Sequence, residues 1–205
     1  MADEIPVLPC CQDRMCRPGA LDNALRRRFS GPGKDLDLLG PGPGMVVADL
    51  GAGVGFFAPE TLARIGGTGR LYLVDIDAEN LDIARARVGP RPNVTFVVGS
   101  AADVGAIPSK SVDRALSSLV LCCLVDKAGA MDEAWRVLRP GGQLLVSYPK
   151  IGLSLYRRKR SLKVTPELWE SLRARRPWVV VHSRRGWFVT RHVLRKPEPD
   201  LSVPP

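Results

Sequence analysis

The sequence predicts an α/β fold built on a doubly wound, mostly parallel sheet that ends in an antiparallel hairpin. Three observations carry this prediction. Apolar runs suited to buried strands alternate with segments of helical period between residues 45 and 149. A glycine-rich turn joins the first apolar run to the first helical segment. Two β-rich arms follow near the end of the chain. Alternating strands and helices favour parallel pairing with right-handed crossovers.

The first strand, at residues 45–50, runs into glycines at positions 51, 53 and 55. A strand, a glycine turn and a helix near 55–66 together form the arrangement that holds nucleotide-like cofactors in Rossmann-like folds, because backbone N–H groups can approach the ligand closely. Asp49 stands just before the turn. A carboxylate there repels a pyrophosphate and suits a cation, which points to S-adenosylmethionine rather than NAD or ATP.

The second strand, at residues 70–75, ends on Asp75. Its distance from the glycine turn is close to the offset of about 20 residues expected for a carboxylate that binds ribose hydroxyls. Asp77 precedes a helix at 78–88 and is the better N-cap. We therefore expect Asp75 to be left free for the ligand.

The remaining elements follow the same alternation. Three further strands are predicted near 93–98, 112–118 and 142–148, with a helix near 127–138 before the last of them. Asp126 is expected to cap that helix. A helix near 165–175 then precedes a hairpin, whose arms are Trp178–His182 and Trp187–Leu194, joined through residues 183–186. We expect Trp169, Trp178 and Trp187 to fill the core beside the hairpin.

These segments resemble the class I S-adenosylmethionine-dependent methyltransferases. Within that class the chain is most similar to the type 11 group, which includes ubiquinone/menaquinone C-methyltransferases, and more loosely to arsenite methyltransferases. The five matching segments occur in family order and are Val47–Phe57, Gly69–Asp77, Asn93–Gly99, Ser111–Ser117 and Ala134–Gly142.

The resemblance implies S-adenosylmethionine as cofactor and a role for each matching position. Asp49 would serve the methionine end, Asp75 the ribose, and Ile76 the adenine. Ser100 stands where family members often carry Asp, which implies a weaker, uncharged contact. The implied cofactor-binding residues are Asp49, Gly51, Ala52, Gly53, Asp75, Ile76, Ser100, Ala101 and Ser117.

Methyl transfer is an in-line displacement that depends mainly on alignment, so few catalytic residues are expected. Tyr148, placed just after the fifth strand, is the first candidate for a base, whereas His182 and His192 are expected to pack within the hairpin. Cys122 and Cys123 follow the fourth strand and are candidate substrate contacts. Together with Cys10, Cys11 and Cys16 they raise the alternative of soft-metalloid chemistry, although no resident metal site is predicted.

Charge is concentrated near the carboxyl end of the chain. Residues 150–196 hold 14 Lys or Arg and 2 Asp or Glu, within a chain of 205 residues and net charge +9. This segment could contact RNA or an anionic surface through Arg157, Arg158, Lys159 and Arg160, or could be a solvated basic face. An Asn/Asp-Pro-Pro-aromatic motif, which base amino-methyltransferases carry after the fourth strand, is absent at 117–123.

The most favoured function is methyl transfer to a small-molecule acceptor. The alternatives are RNA methylation, thiol-dependent metalloid methylation, and cofactor binding without catalysis. We expect an N-terminal cap segment at 1–44 with a helix at Ala20–Phe29, a methyltransferase domain at 45–196, and a flexible tail at 197–205. Long uninterrupted apolar runs and a signal peptide are both missing, and the cysteine number is odd, so a cytoplasmic protein with reduced thiols is expected.

Overall fold

The computed structural model describes residues 31–124, 126–149, 164–187 and 189–199. The helices in these ranges are α1 (Pro32–Leu39), α2 (Ala58–Ile65), α3 (Ala78–Val88), α4 (Lys127–Val137) and α5 (Pro166–Ala174). The strands are β1 (Val46–Leu50), β2 (Arg70–Asp75), β3 (Val94–Val98), β4 (Val112–Ser118), β5 (Leu138–Pro149), β6 (Val179–Arg185) and β7 (Val189–Arg195). The predicted helix at Ala20–Phe29 lies outside the described residues.

The seven strands of the described ranges form one sheet in the order β3-β2-β1-β4-β5-β7-β6. Strands β1 to β5 pair in parallel, and β7 pairs antiparallel with both β5 and β6. The predicted α/β sheet, mostly parallel with an antiparallel hairpin, is therefore confirmed. Strand order reverses between β1 and β4, and in such sheets ligands bind in the crevice outside the carboxyl ends at the reversal.

Helices cover both faces of the sheet and bury two separate apolar cores. One core joins α1, α2 and α3 to the sheet, and the other joins α4 and α5. Leu144 and Leu145 of β5 are both fully buried although they point to opposite faces, one into each core. Strands buried on both sides read as continuous apolar runs, which is why the sequence pattern predicted them well.

Helix α1 is the element that the sequence pattern missed. It begins with Pro32 in its first turn and ends at Gly40, whose left-handed backbone (φ 64°) donates its N–H to the carbonyl of Leu36. Leu36 and Leu39 are buried in the core beneath the sheet. Part of the predicted cap segment thus packs into the domain, while the boundary at residues 44 and 45 stays a prediction.

The two strands of the hairpin have other bounds than those predicted. Ser183, Arg184 and Arg185 continue β6 instead of forming the connection, and the next strand begins at Val189. Trp187 consequently leaves the strand and is 90% exposed, so the prediction that it fills the core is wrong. Trp169 and Trp178 are buried as predicted. The sequence pattern did not predict the end of β6, because the basic residues there are exposed on the outer edge of the sheet and show no apolar alternation.

An ion pair joins α1 to β7, next to the outermost strand of the sheet. The Nε of Arg191 in β7 donates to the Oδ1 of Asp35 at 2.5 Å, and the Asp35 side chain is only 4% exposed. Charges at such depth are tolerated only when they are paired, since burial removes their hydration. No helix in the described part of the chain is long and apolar enough to cross a bilayer.

Replacing Asp35 with alanine should lower the free energy of unfolding by about 3 kcal/mol, because it leaves the Arg191 guanidinium buried beside an apolar core. The matched control is Asp37→Ala on the same helix. Asp37 pairs with Arg64 but is 71% exposed, so we expect a loss below about 1 kcal/mol. Urea unfolding of the two variants measures both quantities, and equal losses would contradict a structural role for the buried pair.

Candidate functional site

The glycine turn after β1 is tied directly to the end of β2. The N–H groups of Gly51 and Ala52 both donate to the carbonyl of Val74, at 2.8 and 2.7 Å. The N–H of Gly53 donates to the Oδ2 of Asp75 at 2.7 Å. The backbone at Gly51 and Gly53 has positive φ angles of 94° and 53°, a conformation in which glycine is favoured. These hydrogen bonds fix the turn between the two strand ends.

Steric contacts explain why two of the glycines cannot be replaced without rearrangement. A Cβ on Gly51 would lie 2.3 Å from a methyl carbon of Val120, and one on Gly55 would lie 2.9 Å from the Cβ of Ala84. Val120 follows β4, so the glycine turn packs directly against the exit of that strand. The turn therefore lies at the β1–β4 reversal, where the fold opens its crevice.

Asp75 is the hydrogen-bonding centre of this edge. Besides Gly53, its carboxylate accepts the N–H of Asp77 at 3.0 Å and the amide of Asn80 at 3.4 Å. Burial raises the pKa of Asp75, and these donors act against the rise. Asp77 caps α3 by accepting the N–H of Glu79, as predicted. The expectation that Asp75 is left free is wrong, because its carboxylate also holds the turn.

The other predicted cofactor residues surround this centre. The N–H of Gly99 donates to the backbone carbonyl of Asp75 at 2.9 Å, which brings the next residue, Ser100, to the same edge. The Ser100 hydroxyl accepts the N–H of Ala102 at 3.1 Å. Ile76 is 43% exposed beside Asp75 and offers an apolar surface. The remaining members, Asp49, Ala101 and Ser117, are buried in β1, after β3 and in β4 respectively.

The exits of β4 and β5 meet at Leu119, which has a left-handed backbone with φ 63°. Its N–H donates to the carbonyl of Ser147 at 2.9 Å, and the hydroxyls of Ser118 and Ser147 lie 2.9 Å apart. A bulky residue held in this conformation costs about 1–3 kcal/mol and is concentrated at functional sites. No pattern in the sequence predicts this strained turn, since leucine rarely adopts its conformation.

The two adjacent cysteines lie in the turn that follows. The thiol of Cys122 donates to the carbonyl of Leu119 at 3.1 Å, and the sulfur of Cys123 lies 3.8 Å from that of Cys122. Within the described residues, no group of three or more potential ligands is arranged to hold a metal ion. Cys10, Cys11 and Cys16 lie outside those residues, so a larger thiol cluster stays a prediction.

Tyr148 lies inside β5, not after it, and its hydroxyl is 3.0 Å from the Nε2 of His192. The Nδ1 of His192 lies 3.0 Å from the hydroxyl of Ser183, and its ring stacks on Trp169 at 4.1 Å. Burial raises the pKa of Tyr148 to about 12, so this phenol is protonated near neutral pH. The predicted basic residues Arg157, Arg158, Lys159 and Arg160 lie outside the described residues.

Comparison with known proteins finds similarity to methyltransferases. Residues 48–146 match the family profile described as a methyltransferase domain. The chain is 35% identical over 114 residues to the ubiquinone/menaquinone biosynthesis C-methyltransferase UbiE of Hydrogenovibrio crunogenus, covering 54% of this chain and 44% of that protein. It is 34% identical over 109 residues to an arsenite methyltransferase of Halobacterium salinarum, covering 51% and 27%. The matched stretch spans less than half of either relative.

A solved structure shares the fold as a whole. The S-adenosylmethionine-dependent methyltransferase from Aquifex aeolicus superimposes with a TM-score of 0.69 at 22% identity, over 86% of this chain and 95% of that one. The glycine turn, the strand order and these matches define a class I methyltransferase domain, whose cofactor is S-adenosylmethionine. Within that class residues 48–146 match the type 11 group, as the sequence motifs predicted.

The buried histidine predicts a pH dependence of stability. Burial lowers the pKa of His192 to about 4 from 6.5, against the attraction of Glu170 and with the repulsion of Arg173 and His182. The unfolded chain therefore binds the proton first as pH falls. Stability should be complete above about pH 6.5 and decline towards pH 4 by about 3 kcal/mol.

His192→Phe keeps an aromatic ring beside Trp169 and removes the titrating group, so its unfolding free energy should fall less steeply between pH 6.5 and 4. Urea unfolding across this range measures the slopes. Parallel curves for His192→Phe and the wild type would show that His192 does not titrate in this way.

Proposed function

We propose that this chain transfers a methyl group from S-adenosylmethionine to a small, uncharged and largely apolar acceptor. One observation carries the proposal. The glycine turn is fixed on one side by Val74 and Asp75 and packs on the other side against Val120, after β4. A cofactor lying on the turn would therefore direct its methyl group toward the exits of β4 and β5.

The cofactor roles are proposed residue by residue. Asp75 would bind the ribose hydroxyls through lone pairs that its three donors leave open, and Ile76 would pack against the adenine. The buried carboxylate of Asp49 would favour the cationic methionine end. Backbone and side-chain contacts to the rest of the cofactor would come from Gly51, Ala52, Gly53, Ser100, Ala101 and Ser117.

The character of the strand exits favours the proposed acceptor. Residues 117–124 and 145–149 contain no charged side chain and consist of apolar, hydroxyl and thiol groups, while Arg185 and Glu170 act on Tyr148 from neighbouring elements. Phosphate-bearing acceptors generally require Arg or Lys beside the reacting group. The hydroxyls of Ser118 and Ser147, 2.9 Å apart, supply polar contacts for a neutral oxygen function on the acceptor. Cys122 and Cys123 border the same region.

The protein's chemical contribution is positioning. The bound cofactor supplies an electrophilic methyl group, and alignment of the acceptor lowers the remaining barrier. Tyr148 is protonated near neutral pH, since its pKa is about 12. We propose that it serves as a hydrogen-bond donor oriented by His192 and not as a base. An acceptor from which no proton must be removed before attack fits such a site best.

Asp75→Ala should weaken S-adenosylmethionine binding by roughly 1.5–3 kcal/mol, because hydrogen bonds to charged groups contribute about that much. Calorimetric titration measures the affinity. Asp82→Ala is the matched control, since Asp82 is 71% exposed and forms an ion pair with Arg85 of the same helix. Unchanged affinity in Asp75→Ala would remove this carboxylate from the cofactor site.

Methyl-labelled S-adenosylmethionine should label the small-molecule fraction of a cell extract, within its organic-soluble part. The extract is separated into small-molecule, RNA, lipid and protein fractions after reaction with the wild-type chain. Gly51→Val should label nothing, because its side chain cannot fit beside Val120. Label that enters RNA instead would replace the proposed acceptor with RNA methylation.

A further inference from the structure

The tip of the β6–β7 hairpin presents an aromatic side chain to solvent in a fixed turn. The N–H of Gly186 donates to the carbonyl of Val189 at 3.0 Å, and a Cβ on Gly186 would lie 2.7 Å from that oxygen. Between them Trp187 is 90% exposed, the largest exposure among the large hydrophobic side chains of the described residues. An indole held outward by a tight turn is costly in water unless another surface covers it.

The outer strand of the same hairpin is apolar at one end and basic at the other. Val179, Val180 and Val181 are 40%, 44% and 50% exposed. Arg184 and Arg185 are exposed just before the turn. Because successive residues of a strand point to opposite faces, these two arginines flank the sheet edge on both sides. We call β6 together with Trp187 the outer edge.

The segment that carries the outer edge is strongly basic, although its Arg173, Arg175, Arg176 and Arg191 pair with carboxylates. The sequence contains no Asp or Glu between Glu170 and Glu198, whereas it contains eight Arg or Lys in that interval. Arg195 is exposed at the other end of the hairpin. A surface of this composition is attracted to an extended anionic partner, and the attraction is screened by salt.

Strand register places the tip of the outer edge beside the candidate acceptor site. Val189, just after the turn, pairs with Pro149, the last residue of β5. The tip and the exit of β5 therefore lie at the same end of the sheet. A partner that covers the tip would adjoin the crevice through which an acceptor enters.

We propose that the outer edge docks on the surface of an anionic lipid bilayer, with Trp187 in the headgroup region and Arg184 and Arg185 against the lipid phosphates. Tryptophan and arginine are favoured at that boundary. The exposed valines add binding energy only when the partner has an apolar region to cover them. RNA would use the arginines and the indole but gain nothing from the valines. The orientation toward the acceptor rests on the proposed function, but the docking itself does not.

The test is co-sedimentation of the full chain with vesicles of phosphatidylcholine alone or phosphatidylcholine mixed with phosphatidylglycerol. We expect binding to the mixed vesicles that weakens with added salt. Trp187→Ala should reduce the partition coefficient roughly tenfold. Changing Arg184 and Arg185 to Gln should reduce it about 30-fold, since each basic residue near an anionic surface contributes about 1 kcal/mol.

A double change of Arg70 and Arg91 to Gln is the matched control, because both are exposed at the opposite half of the sheet. It removes the same charge and should leave vesicle binding unchanged. Calorimetric binding of S-adenosylmethionine checks that every variant is folded, and this measurement also separates failure of docking from failure of the cofactor proposal.

Three results would overturn the docking proposal. The first is equal binding to both kinds of vesicle, or to neither. The second is binding that survives both outer-edge variants or falls equally in the Arg70 and Arg91 control. The third is tighter binding to single-stranded RNA than to mixed vesicles when the same variants lose it, which would assign the outer edge to nucleic acid.

Discussion

The candidate site depends on one partly buried carboxylate. Asp75 accepts hydrogen bonds from Gly53, Asp77 and Asn80, which belong to the glycine turn, the start of α3 and its first turn. Asp75 is the last residue of β2, so its side chain connects these parts just where the strand ends. Burial favours the neutral acid, but three donors favour the ionised form. The carboxylate that holds the turn is also the group that we propose for the ribose contact.

The opposite wall of the crevice is set by packing instead of charge. Gly51 leaves room for Val120, and Val120 is brought there by the left-handed turn at Leu119. That turn is held by a hydrogen bond to Ser147 across the β4–β5 pair. A displacement at Leu119 or Ser147 would therefore reach Gly51 through the contact with Val120. We regard this short path as the link between the two halves of the proposed reaction.

The two edges of the sheet are unlike in a way that bears on function. Strand β3 carries no charged side chain and is half-buried along most of its length. Strand β6 is exposed along nearly its whole length and ends in Arg184, Arg185 and the outward Trp187. Charged residues on an edge strand discourage pairing with other strands. The outer edge is thereby suited to a surface contact and not to extension of the sheet.

The sequence by itself determined the class of fold, the alternation of strands and helices, and the glycine turn, because these rest on local patterns: buried apolar runs, glycines after a strand and an acid at the end of the next. It also identified Asp77 and Asp126 as caps, since capping requires only a few neighbouring residues. Only the tertiary structure decided that Asp75 is a hydrogen-bonding hub and that Tyr148 is engaged by His192. The contacts that decide both points, Gly53 to Asp75 and Tyr148 to His192, join residues distant in the chain, and no local pattern records which strands will lie side by side.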